Sequence, residues 1–276
     1  MKKILFILIA SVLLGQVSGA QEYKWTKVKM DGSRTGVTAP TADNVSEAMG
    51  TFKGGKYIAP NGRKYKKSSA TAQAAKLMIE AQPEVAFVKE VVGYSPVEMK
   101  KRSPESPLSN WFIDLLMAKT EELTGRKVDF GITNFGGIRI DMPAGEVLYD
   151  DIQSMFPFNN TLCYVVLKGT DVRAFFEKMA ARSVQVLGGV NFVIKDRKIK
   201  SLLIGGEPLD DEKLYGVATI SFLLSGGDDV AVAKNAVEVI DTEIPIFDAV
   251  IDHVRRLKAE GKYIEAKSDG RVVIEK

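Results

Sequence analysis

The sequence predicts an α+β fold, with mixed β-sheets and packed helices gathered into one compact domain over about residues 83-276. Three observations predict it. Beyond Pro83, short apolar or β-branched runs alternate with longer stretches whose apolar residues recur at helical spacing. The runs are bounded by Gly, Pro, Asn and Asp, residues that turn a chain. The overall balance, 45% hydrophobic and 26% charged over 276 residues, is globular, and no repeat or low-complexity tract interrupts it.

At the start, Lys2 and Lys3 precede an apolar run from Ile4 to Leu14, and Ser18-Gly19-Ala20 offers small residues before Gln21. This reads as a secretory signal peptide over 1-20, which makes the mature chain exported, into a bacterial periplasm. The run is shorter than the roughly 20 residues a spanning helix needs, so no stable membrane anchor is expected. Residues 21-82 are rich in Lys, Gly, Ser and Thr, with turn signals at Asp31-Gly32, Gly54-Gly55 and Asn61-Gly62. They predict a leader, loosely structured or packed on the main domain, with anchors at Trp25, Phe52, Tyr57 and Tyr65 and one helix over Ala70 to Ala81. Its lysines suit a solvated face.

The main domain opens with an expected strand from Val85 through Val92, and a helix follows from Leu108 until Gly125 ends it. Val128 to Thr133 is a strand leading into the loop Asn134-Phe135-Gly136-Gly137-Ile138-Arg139. A short helix is expected over Glu146 to Met155, then the loop Phe156-Pro157-Phe158-Asn159-Asn160. Leu162 to Leu167 is a strand, and Thr170 is placed to cap a helix from Asp171 to Arg182. After Gly188-Gly189, Val190 to Ile194 and Ile199 to Ile204 form a hairpin about Asp196-Arg197. Tyr215 to Ile220 is the next strand, Ile246 to Glu260 a helix, and Val272 to Ile274 a last strand.

Composition excludes several chemistries. The net charge of +3 falls to about +1 once Lys2 and Lys3 are removed, so no global field recruits a nucleic-acid polymer or an anionic membrane. Cys163 is the only cysteine and sits in an apolar run, which suits a small core residue and leaves no intramolecular disulfide. The single histidine, His253, lies on a helical segment beside Arg255 and Arg256. Catalytic zinc and two-metal centres usually take several imidazoles, and a serine or cysteine hydrolase would have only His253 for its base, which reads most simply as a helix-surface residue.

The positive signals are loops. Thr219 to Asp229 puts Phe222, Gly226-Gly227 and Asp228-Asp229 at the end of a strand, where glycines let a backbone approach a ligand closely. The same composition also suits a structural turn with an aromatic plug. The loops at 134-139 and 156-160 share its grammar. Two aromatic rings can sandwich a flat heterocycle, Asn and Asp can read polar edges or sugar hydroxyls, and Arg suits a phosphate or ribose oxygen. Together these are the parts of a nucleoside or nucleotide pocket, or of ordinary turns over core aromatics.

At these residues the sequence resembles the C-terminal, substrate-binding domain of the 5′-nucleotidase, UDP-sugar hydrolase and 2′,3′-cyclic phosphodiesterase family. The matches are Asn134-x-Gly136-Gly137-Ile138-Arg139, Pro157-Phe158-x-Asn160, Gly188-Gly189, and Phe222 followed by Gly226-Gly227-Asp228. Arg102 with Glu105 and Asn110 is similar to the family's Arg-x-x-Glu segment. The resemblance implies that domain's fold and nucleotide catabolism, with Phe158 and Phe222 stacking on the base. Asp228 and Asn134 would bond ligand polar groups, and Arg102 and Arg139 would hold the ribose or phosphate side. Asn160 and Gly189 are carried over with them. The chain departs from the pattern at Asn159, where the family has Gly, and at Asp229-Val230, which replaces Gly and an aromatic. The family's metal-binding stretches, Asp-x-His, Asn-His-Asp and Gly-His-x-His, do not occur. The resemblance therefore implies a nucleotide-binding half with no catalytic residue, metal ligand or cofactor of its own, inactive alone. Divalent metals would be supplied by a separate metallophosphoesterase chain. The alternatives are a stand-alone exported binding module for nucleosides or nucleotides, and an interaction protein that keeps only the scaffold.

Overall fold

The structure, a computed structural model, describes residues 44–275, and the signal segment, Trp25 and the first part of the leader lie outside the described residues. The chain divides by its contacts after Pro83 into two units. In the first, α1 (Val45–Met49) precedes a three-stranded antiparallel sheet of β1 (Thr51–Lys53), β2 (Lys56–Ile58) and β3 (Lys64–Lys66), followed by α2 (Ala70–Ala81). Tyr57 is its core: the ring lies between Phe52 and Tyr65, and the hydroxyl donates to Met49 O at 2.7 Å. Ser69 caps α2 by accepting from Ala72 N–H. Residues 44–83 thus form regular elements, the expected helix over Ala70 to Ala81 among them, and Tyr57 supplies burial that the polar remainder lacks. Lys53, Lys56, Lys64, Lys66 and Lys67 are all exposed.

The second unit begins with a 3₁₀ turn at Ala86–Lys89, where a strand is expected, and β4 starts only at Val91 (Val91–Ser95). A short apolar run cannot distinguish the two by itself. Then come α3 (Pro107–Thr124), β5 (Phe130–Thr133), β6 (Gly145–Leu148), α4 (Tyr149–Met155), β7 (Thr161–Lys168) and α5 (Gly169–Ala181). They are followed by β8 (Val186–Gly188), β9 (Val190–Lys195), β10 (Lys198–Ile204), β11 (Glu207–Pro208), β12 (Leu214–Ile220), α6 (Ser221–Leu224), β13 (Glu238–Pro245), α7 (Ile246–Ala259) and β14 (Val272–Glu275).

Two differences from expectation have local causes. Glu146 to Leu148 is strand rather than helix because Val147 is buried in the pairing of β6 with β4, and α4 starts one residue later. Helix α5 starts at Gly169 without a side-chain cap from Thr170; Gly169 is pressed onto the Asp210–Asp211 backbone and bonded to Lys213 O.

The central sheet runs β13-β7-β12-β5-β8 and a second runs β11-β10-β9-β14. Within the central sheet only β12 and β5 are parallel neighbours. Helix α3 covers the β5 and β8 side. Ser106 and Ser109 form a reciprocal cap at its start, and Gly125, in the left-handed region, closes its end. Its close approach depends on Gly131 and Gly188, paired across β5 and β8, since a Cβ on either would lie under 3 Å from Met117. Leu108, Phe112, Ile113 and Leu116 of α3 join Phe130, Phe176 and Phe192 in a continuous core. The tail is strapped across α3: Glu105 accepts from the Gly270 and Arg271 amides, Asn110 donates to Lys267 O, and Arg271 forks onto Asp114 and Asp269.

Candidate functional site

Strand register decides where the loops go. Parallel pairing of Val217 with Phe130 and Ala218 with Gly131 brings the ends of β12 and β5 level, at Ile220 and Thr133. Antiparallel pairing of Ile220 with Leu162 makes β7 start where β12 stops. The loops at 134–139, 156–160 and 221–229 therefore leave the sheet from one edge. Strands β12 and β5 end here and β7 begins here, so the connecting segments diverge from one end of the sheet.

Asn134, the first residue beyond β5, is only 5% exposed; its Nδ2 donates to Asp228 Oδ2 at 2.6 Å, and its Oδ1 is buried with no partner among the described residues. Two loops far apart in sequence are tied by that bond. Residues Phe135–Gly137 make a single 3₁₀ turn, whose Phe135 amide donates to Gln185 Oε1. Arg139 donates to Gly136 O and carries its guanidinium 5.7 Å from the Phe158 ring centroid, within cation–π reach. Phe158 is 46% exposed and Phe222 41%, well above what a core phenylalanine shows. A small cavity beneath Phe158 touches Thr133, Asn160 and Ile220, so this ring stands beside the strand end that delivers Phe222 two residues later. Asn160 is half-buried and accepts from Ile246 N–H through its backbone carbonyl, while the next amide, Thr161, donates to Ser221 Oγ.

Phe222 rests on Gly227: a Cβ there would fall 2.4 Å from the ring, so glycine is required for close approach. Gly226 has φ +107, a conformation that side chains disfavour. Arg102 is exposed, next to Lys101, which bonds Asp141 and Ile138 O on either side of Arg139. Its backbone thus runs alongside the Arg139 segment. Gly189 is elsewhere. It follows β8, whose antiparallel course carries it to the start of β5, where its Cα packs against Asp129 and Phe130. The structure brings together Asn134, Arg139, Phe158, Asn160, Phe222 and Asp228, places Arg102 alongside, and puts Gly189 at the opposite end as a packing residue.

Glu105 and Asn110 of the Arg-x-x-Glu segment are occupied with the tail strap. Gln185 and Ser221 support the loops, and nothing in the sequence singles them out. Among ionisable groups, burial pushes the Cys163 thiol up to about 12, which leaves it inert. Burial and then Arg256 hold His253 below its ordinary pKa, and its Nδ1 faces Arg256. Among the described residues, no group of three or more His, Cys, Asp or Glu side chains could hold a metal ion. No helix among them is long and apolar enough to cross a membrane.

Sheet order and helix placement together define an α+β domain of mixed sheets with packed helices. The 5′-nucleotidase C-terminal domain profile matches residues 85–235, and the chain belongs to that family. Similar proteins include UshA of Escherichia coli, 34% identical over 119 residues, which are 41% of this chain and 21% of that protein. The 5′-nucleotidase of Vibrio cholerae is 31% identical over 107 residues, 37% of this chain and 19% of that one. Among solved structures, a 5′-nucleotidase precursor from Thermus thermophilus superposes with a TM-score of 0.64 at 26% identity, covering 74% of this chain and 43% of that one. The chain covers about a fifth of the length of the curated relatives it matches.

Proposed function

We propose that this chain is the nucleotide- or nucleoside-binding half of an exported 5′-nucleotidase-type phosphohydrolase, with the hydrolytic centre on a separate metallophosphoesterase chain. The observation that carries the proposal is the single sheet edge on which exposed Phe158 and Phe222, the Asn134–Asp228 pair and Arg139 converge. One ring from the 156–160 loop and one from the short helix after β12 suit the faces of a base, where each stack contributes roughly 1–3 kcal/mol. Arg139, with Arg102 alongside, suits the ribose or phosphate side. This chain then orients the ester for attack and contributes position rather than bond chemistry. Divalent metals and the attacking water belong to the partner.

Titration of the purified chain with adenosine, AMP and a UDP-sugar tests the binding half of the proposal. Saturable binding that is lost in the Phe158→Ala, Phe222→Ala double variant is expected. Robust hydrolysis of AMP by this chain alone with divalent metal would overturn the division of labour. Sequencing the N-terminus of the mature protein tests export, with Gln21 as the expected first residue.

A further inference from the structure

We infer that Lys178 and Arg182 are positioning residues for the proposed base site, fastening Asp229 and with it the left-handed turn that carries Asp228 and supports Phe222. The inference rests on the nucleotide-binding reading and adds to it how the site is held in shape. Asp228 and Asp229 are consecutive non-glycine residues at φ +52 and φ +61. Side chains disfavour this region, and such a conformation persists only where surrounding contacts over-determine it.

The contacts come from the end of one helix. Lys178 lies in the last turn of α5 and Arg182 is the residue that follows its last turn, so both stand at its carboxyl end. The Lys178 ammonium donates to Asp229 O at 2.6 Å and to Oδ1 at 3.3 Å, and the Arg182 guanidinium donates to Oδ2. Asp228, on the other side of the turn, is held by Asn134. Between α5 and the turn lies a cavity of about 270 Å³ whose lining includes Phe175, Lys178, Arg182, Asp228 and Asp229. Without the clamp, residues 228–229 have both a reason to leave the left-handed region and space to enter. Since Phe222 rests on Gly227, relaxation of the turn displaces the ring along with the Asp228 carboxylate.

The clamp is exposed on both sides, so salt screens it. A neutral ligand makes that dependence diagnostic, because adenosine carries no charge for salt to screen. Adenosine affinity of the wild-type chain is expected to fall about threefold between about 50 and about 500 mM sodium chloride. The Lys178→Ala, Arg182→Ala variant is expected to bind about fivefold more weakly at low salt and to lose the salt dependence. Adding Asp229→Gly to it is expected to restore affinity to within about twofold of wild type, since glycine occupies the left-handed region freely. Hydrogen exchange of amides 226–232, measured without ligand, is expected to accelerate in the double variant and slow again in the triple.

A double variant with wild-type affinity at both salt concentrations, or unchanged exchange, overturns the clamp. Failure of the triple variant to recover overturns it too, by showing that the cations act otherwise than through the turn. A wild-type chain that binds none of adenosine, AMP and a UDP-sugar overturns the nucleotide reading itself, together with this inference, and does so before any variant is made.

Discussion

The two ends of the central sheet are built on opposite principles. At the end where Asn134 and Phe222 stand, polar atoms are left over: Thr133 Oγ1 and Asn134 Oδ1 are buried without partners among the described residues, and aromatic rings face outward. At the other end the sheet's polar groups are paired. Asp129 accepts from the Gly216 amide and from Lys127, Tyr164 OH donates to Lys127 O, and Gly169 and Gly189 are packed against backbone. Buried polar groups are normally satisfied, and the exceptions in one sheet gather where a ligand is proposed. The closed end holds the strands in register, and the open end spends that rigidity on presenting loops.

Substitutions at the closed end should reduce stability and spare binding, while those at the open end should do the reverse. Gly169→Val carries the largest expected loss, about 3 kcal/mol by denaturant titration, because its Cβ would overlap Asp210 O. Asp129→Ala should cost about 2 kcal/mol by leaving the Gly216 amide unsatisfied, with adenosine affinity unchanged in the folded fraction. A smaller effect concerns the tail. The hydrogen bond from Arg271 holds the Asp269 carboxyl below the usual aspartate range. A depressed folded pKa contributes stability above the unfolded value, near 3.9, and loses it as pH falls through the folded one. With this half-exposed side chain the contribution is below about 1 kcal/mol, so wild-type stability should decline below about pH 4 by an increment absent from Asp269→Asn. Phe158→Ala and Phe222→Ala should each move stability by less than about 0.5 kcal/mol. Each should nevertheless weaken adenosine binding about tenfold or more in calorimetry, and a stability loss without an affinity loss would erase the contrast.

The sequence was most legible at the open end. Loops at 134–139, 156–160 and 222–228 are marked by glycine, asparagine and aromatic residues, local signals that survive without knowledge of pairing. That they share an edge depends on β12 lying between β7 and β5, a non-local fact that no spacing encodes. The helices read from 108, 171 and 246 match α3, α5 and α7 to within a few residues, since their apolar periods are long. Strand β13 went unread because Glu238, Asp241 and Glu243 interrupt it, which an edge strand tolerates and a central one would not. Gly189 carried the composition of a binding turn and serves packing instead. Gln185 and Ser221 gave no signal because a single side-chain bond to a distant amide leaves no pattern behind.

The strap over α3 also bears on how the polypeptide reaches its final form. The two bonds from Glu105 close circuits of 165 and 166 residues, more than half the chain. Each doubling of such a circuit adds only about 0.6 kcal/mol to its closing entropy, so length is no thermodynamic obstacle. It is a kinetic one: contacts this distant retard refolding, and a spectroscopic probe on Arg271 should report its arrival later than one on the β9–β10 hairpin.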